Sequence, residues 1–277
     1  MKITEIKCWA LSEELGGSWR ISGQVWNRIN TVIVRIRTDD GQEGVGETNL
    51  RTAPRAGLAI IRDHLSQHVL GADPRDIEGI WWSMFQRGRP RGHTRGFYLK
   101  AMSGIDMALW DMAARRANEP LWRALNGVGK PKLPVYASAV RVFDTVEEAV
   151  EKGQSFVDSG HRTVKVMVAG REQSYDIAVL KGLREQFGDS IDLCVDANSS
   201  YETTQAVKFA VSARELDLLF FEEPVPPDNL RGYRRLRQAT PMALAAGQSE
   251  FTPFAANPIL SEGLIDFFQP NAGRVGG

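Results

Sequence analysis

The chain has 277 residues, 43% hydrophobic and 25% charged, enough to bury one large core or two smaller ones. Lys+Arg and Asp+Glu both number 34, so no net field draws it to nucleic acid or to an anionic membrane; the expected partners are a small molecule and, for the full-length protein, copies of itself in a homo-oligomer. No run approaches the roughly 18 apolar residues of a membrane span, and the opening MKITEIKCWALSEE lacks the unbroken apolar core of a signal peptide, which predicts a cytoplasmic chain.

The first elements read as α+β. MKITEIKCWAL and NTVIVRIRTDDGQEGVGET alternate apolar and polar residues, with DDG as a hairpin turn. Between them, SEELGGSWRISGQVWNR is rich in Gly and Ser and reads as a mobile loop. Residues 56–125 read as helical, and SGIDMALWDMAARRA places Ile105, Ala108, Leu109 and Met112 on one face. Asp106 and Asp111 on that helix are expected to be internal, hydrogen-bonded acids. The basic stretch RGRPRGHTRGF, residues 87–97, reads equally as a solvated loop or as a site for acidic groups. NGVGK near residue 128 is weak evidence for phosphate binding. Cys8 and Cys194 lie in apolar strand-like runs and read as free buried thiols.

From residue 133 onward strand and helix alternate: LPVYASAV, then a helix capped by a D-x-x-E pair, Asp144 and Glu147, then TVKVMV and the helix YDIAVLKGLREQFG. IDLCVDAN, LDLLFFEEP, PMALAAG and IDFFQPN follow as further strands, separated by amphipathic segments. Apolar strands between helices mean a parallel sheet covered by helices. The regular repetition suits a (β/α) TIM-type barrel, whereas an open nucleotide-binding sheet lacks its glycine fingerprint. The predicted architecture is α/β: an α+β capping domain, residues 1–128, followed by a partial barrel, residues 129–277. A barrel needs about eight strands and six are visible, so a C-terminal truncation is expected.

Functional groups of such a barrel gather at the C-terminal ends of its strands. Those ends carry Lys165 and Met167, Asp196 and Asn198, Glu222 and Glu223, Gln248, and Asn271. Asp196, Glu222, Gln248 and Asn271 follow one another at intervals of 26, 26 and 23 residues, one βα unit each. Two carboxylates and an amide oxygen facing one point suit Mg²⁺. The competing reading is that Asp196 and Glu222 cap helices or pair with Lys165.

SGIDMALWD, VDAN, FFEEP, AAGQSEF and DFFQPNAGRVGG together resemble the mandelate racemase/muconate lactonizing branch of the enolase superfamily along the whole chain. The resemblance implies a Mg²⁺-dependent lyase or isomerase that removes the proton α to a carboxylate. It implies Asp196, Glu222 and Gln248 as metal ligands, Asn198 beside the substrate carboxylate, and Lys165 and Asn271 at catalytic positions. Trp19 and Arg20 of the cap are the expected substrate contacts, an aromatic wall and a carboxylate-binding fork.

Three departures qualify that expectation. Met167 stands where the branch often has its lysine base, and Asn271 where it often has the aspartate of an Asp–His dyad. Gln248 lowers the ligand charge, so a bound Mg²⁺ is expected to be weakly held. Beside a divalent cation Lys165 is expected to have a lowered pKa, as a base or as a group contacting the substrate carboxylate. The leading expectation is dehydration of an acid sugar. The alternatives are a racemase or cycloisomerase of the same branch, an impaired relative that only binds, and a Schiff-base aldolase using Lys165.

Overall fold

The computed structural model describes residues 1–126, 128 and 132–277. Most of NGVGK and the expected domain junction at 128/129 therefore lie outside the described residues.

The N-terminal sheet is antiparallel, β1 (Ile3–Ile21), β2 (Gln24–Thr38) and β3 (Glu43–Thr48), paired in that order. The supposed mobile loop is instead the upper half of the β1–β2 hairpin, with Trp19 opposite Trp26 and Ile21 opposite Gln24. Alternation continues through that half (Trp19, Ile21, Val25), so the backbone finds cross-strand partners despite the glycines. The hairpin tip rests on the C-terminal half of the chain. There Val142 N–H donates to the Arg20 carbonyl at 3.2 Å, and Ser22 is buried.

The helical stretch is present but broken into Pro54–Ala59, a wide π turn at Ile60–Leu65, Ser66–Val69, Ile77–Gly88, Phe97–Ala117 and Leu121–Asn126. Gly71 (φ 82°) and Gly96 (φ 69°) sit at the breaks, in backbone that glycine enters without strain. Ile105, Ala108, Leu109 and Met112 are all buried in the cap core, as their spacing required. Asp111 accepts from Val45 N–H and Arg115 Nε, both at 2.8 Å. Asp106 is buried but makes no side-chain hydrogen bond among the described residues, and burial pushes its carboxyl up to about 7.

The long helix lies almost on the backbone of β3. A Cβ at Gly46 would collide with the backbone of Gly104 and Ala108. We therefore expect Gly46→Ala to destabilise the chain by about 1–3 kcal/mol or more, read as a lower urea midpoint; an unchanged midpoint would show that this contact yields freely.

The second sheet is parallel and strictly sequential: β4 (Ala137–Val140), β5 (Thr163–Met167), β6 (Asp192–Asp196), β7 (Leu218–Glu222), β8 (Leu244–Ala246) and β9 (Phe267–Phe268). It forms six strands of a TIM-type barrel wall. Leu133 and Val135, read as part of the first strand, lie outside it and are exposed. Capping of the helix Val146–Asp158 falls one residue later than expected. Thr145 Oγ1 accepts from Glu148 N–H, and Glu148 returns the bond to the Thr145 N–H. Asp144 pairs with Arg20 instead.

The period-two alternation of the strands divides them cleanly. Val164, Val166, Leu193, Val195, Phe221 and Leu244 join the core beneath the helices. Cys194, Phe220 and Ala245 form a separate small cluster on the other face, with Cys194 beside Lys165 and Ala245 beside Glu222 in the strand register. Both cysteines are buried free thiols.

Candidate active site

The same alternation brings Lys165, Asp196 and Glu222 to one point. Lys165 stands on the face that carries Cys194, while Asp196 and Glu222 follow Cys194 and Phe220 by two residues each. Lys165 Nζ donates to Asp196 Oδ2 at 3.1 Å and to Glu222 Oε2 at 2.7 Å, and all three residues are buried. The Tyr136 ring lies over the ammonium, 5.6 Å from its centroid.

Burial by itself lowers an ammonium's pKa, but the two carboxylates outweigh it and hold Lys165 above the usual lysine range. Burial and the adjacent Asp196 carboxylate raise Glu222 to about 7 despite the pull of Lys165. The lowering expected from the sequence presupposes a divalent cation beside the amine; with only Asp196 and Glu222 facing it, the shift is upward. The competing reading, that Asp196 and Glu222 pair with Lys165, describes this arrangement.

Among the described residues Gln248 makes no hydrogen bond to these two acids. Its Nε2 donates to Glu223 Oε2 at 2.6 Å, and a carboxylate acceptor requires that orientation of the amide. The Gln248 Oε1 then has no hydrogen bond among the described residues. Its side chain lines two adjoining cavities. The first, about 580 Å³, is also walled by Glu222, Tyr136, Gln269 and Asn271, with Glu47 and Asn49 from the cap. The second, about 380 Å³, is walled by Asn198, Ser199 and Glu223 and by Trp26, Arg51 and Lys100 from the cap.

The strand ends that carry these groups are bent into left-handed backbone at non-glycine residues: Ala169 (φ 65°), Asn198 (φ 47°), Ser199 (φ 60°) and Glu223 (φ 40°). Such conformations persist only where surrounding contacts over-determine them, and they gather at functional sites. Here Asn198 N–H donates to Asp196 Oδ1 at 2.8 Å, and Ser199 N–H to the Glu223 carbonyl at 2.8 Å.

Two of the expected substrate contacts lie elsewhere. Arg20 pairs with Asp144, and Trp19 packs under the Arg141 guanidinium, 5.2 Å from the ring centroid. Neither lines the two cavities. Gln24 and Trp26 of β2 line the second cavity instead. The basic stretch 87–97 also stays apart, with Arg89 stacked on Phe85 and Phe254 and Arg95 lining a separate cavity with His64 and His93.

The N-terminal domain of the mandelate racemase / muconate lactonizing enzymes matches residues 15–126, and the enolase C-terminal domain-like fold matches residues 145–277. The chain belongs to the mandelate racemase/muconate lactonizing branch of the enolase superfamily.

Within this branch it is 30% identical to a D-galactarolactone cycloisomerase of Agrobacterium fabrum, over all of the chain and 73% of that protein. It is 32% identical to a D-galactonate dehydratase family member of Enterococcus gallinarum, over 90% of the chain and 67% of that protein. A racemase of Streptomyces coelicolor A3(2), crystallised with bound magnesium, superposes with a TM-score of 0.94 at 30% identity, over 99% of the chain and 77% of that structure. These relatives are dehydratases, cycloisomerases and racemases.

Among the described residues no group of three or more His, Cys, Asp or Glu is arranged to hold a metal ion. The donors nonetheless suit a hard cation in kind. Asp196 and Glu222 already converge on one positive atom, and the Gln248 carbonyl is left as an unpartnered oxygen. Among the described residues, no helix is long and apolar enough to cross a membrane.

The sequence points to Asn198, Glu222, Glu223, Gln248 and Asn271, which line the cavities, but not to Tyr136, Ser199 or Gln269, nor to most of the cap's contribution. Asn49 and Arg51 follow β3 in NLR, and Lys100 sits on the long helix in FYLKAMSG; neither stretch carries a local signal. Arg274 was visible within AGRVGG.

Proposed function

We propose that the site removes the proton α to the carboxylate of an acid sugar, in a capping-domain-plus-barrel unit whose first domain spans residues 1–128 and whose second spans 129–277. The observation that carries this reading is the convergence of two buried carboxylates, Asp196 and Glu222, on one cationic point at the mouth of the barrel. Asp196, Glu222 and the Gln248 carbonyl are the residues to hold Mg²⁺, which would supply positive charge for the carboxylate oxygens as the α-proton leaves. With Mg²⁺ in place to neutralise Asp196 and Glu222, Lys165 would release its own proton to solvent and, as a neutral amine, take the α-proton at Nζ, beneath the Tyr136 ring. Asn198 and Asn271 offer amides to the substrate from the two cavities. The product class that fits best is that of a dehydratase.

The test is proton exchange in D₂O. The chain is incubated with Mg²⁺ and a panel of sugar acids that includes galactarate and galactonate. Deuterium at the α-carbon, or a keto product, is expected with at least one acid. Absence of both with every acid would overturn the reading.

Met167 and Asn271 favour a second reading, in which the chain binds acid sugars without turning them over, because neither side chain accepts a proton near neutral pH. Binding without exchange in the same experiment would select it.

A further inference from the structure

The second cavity contains more positive charge than the chain's own groups neutralise. Arg51, Lys100 and Arg274 all line it, and among the described residues none of them has an ion-pair partner. Elsewhere arginines find theirs readily, as in Arg234–Glu262 and Arg237–Asp266. The one carboxylate lining the cavity, Glu223, accepts from Gln248 and also attracts Arg274, so it offsets one of the three charges at most. Arg274 Nε is buried without a hydrogen-bond partner. Burial, then Arg274 and Arg51, push Lys100 down to about 8, which reflects how closely the three cations crowd. Like charges held together in a partly desolvated space destabilise the fold unless an anion joins them.

The cavity adjoins the first one, with Asn49 and Gln248 lining both. A molecule that extends across this boundary with its reactive end beside Glu222 would present its other end to the cations. Trp26 provides an apolar wall there, and Asn198 an amide for hydroxyl groups.

We propose that Arg51, Lys100 and Arg274 bind a second carboxylate at the far end of the substrate, so that the chain selects sugar diacids over sugar monoacids. This rests on the acid-sugar reading of the first cavity. Arginine forks and an ammonium are the usual partners of a carboxylate in such a setting.

Calorimetry on the chain compares galactarate, galactonate and inorganic phosphate at fixed ionic strength with Mg²⁺ present. Galactarate is expected to bind at least about tenfold more tightly than galactonate, the scale of one charge-assisted contact. Arg51→Gln and Lys100→Met are each expected to remove most of that preference, while Lys100→Arg keeps it; the conservative variant separates lost charge from misfolding. Equal affinities for the two acids overturn the proposal, as do a preference that survives both substitutions, tighter binding of phosphate than of galactarate, or no binding of either acid.

The two readings fail separately. Deuterium exchange with both acids at equal KM would overturn the diacid proposal and leave the reaction. Selective galactarate binding without exchange would overturn the reaction and leave the cavity.

Discussion

Gln248→Glu is expected to tighten Mg²⁺ binding by about tenfold or more, on the order of 1.4 kcal/mol, and at the same time to weaken the metal-free fold. Both effects have one origin. The amide supplies a neutral oxygen where a carboxylate would add a full charge to the ligand set, and hard cations respond to ligand charge. Without metal, however, the new carboxylate faces buried Glu223, whose present partner is the Gln248 amide at 2.6 Å. That replaces a charge-assisted hydrogen bond by a repulsion, at about 1–3 kcal/mol. Titration calorimetry reads the first effect. Urea denaturation with and without saturating Mg²⁺ reads the second, with the metal restoring the deficit because it binds only the folded chain. If the variant binds Mg²⁺ no better than its parent, position 248 does not face the cation.

Lys165→Met should be the most damaging substitution in the barrel, at about 3–5 kcal/mol near neutral pH. It strips the shared counterion from Asp196 and Glu222 and leaves two buried carboxylates facing each other. The sign with pH follows from linkage. Without the ammonium, burial and the adjacent Asp196 carboxylate hold the folded-state pKa of Glu222 further above its unfolded value, so folding takes up a proton. The deficit is therefore small below about pH 4, grows as pH rises through the raised folded value, and is full above it. Mg²⁺ should recover part of it by replacing the lost charge. Melting curves at several pH values, with and without Mg²⁺, check this. A variant as stable as its parent at pH 7, or a deficit indifferent to both pH and Mg²⁺, would show that the triad carries no such energy.

Much of the site was legible because β-strands have a fixed period. Once Val164, Val166, Leu193, Val195 and Phe221 are assigned to the helix-covered face, Lys165, Asp196 and Glu222 must point to the other, and intervals of one βα unit place them at one level. The cap was less legible. The glycines and serines of residues 12–28 read as a loop, yet the chain there pairs as a hairpin whose tip is held on the barrel. Trp19 and Arg20 meet Arg141 and Asp144 there, and Trp26 lines the second cavity. The capping pair slipped by one residue for a related reason. Asp144 was available to cap locally, but Arg20, 124 residues away in sequence, engages it.

By itself the sequence determined the two-part architecture, the face of each barrel strand, the placement of Lys165, Asp196 and Glu222, and the family, because these follow from local periodicity and short motifs. Only the tertiary structure decided that Lys165 lies clamped between two acids, that Gln248 turns its amide to Glu223, and that Arg51, Lys100 and Arg274 share one cavity. Each of those facts depends on which distant side chains are brought within a few ångströms and removed from water. Charge and hydrogen bonding respond to that proximity, and chain spacing does not encode it.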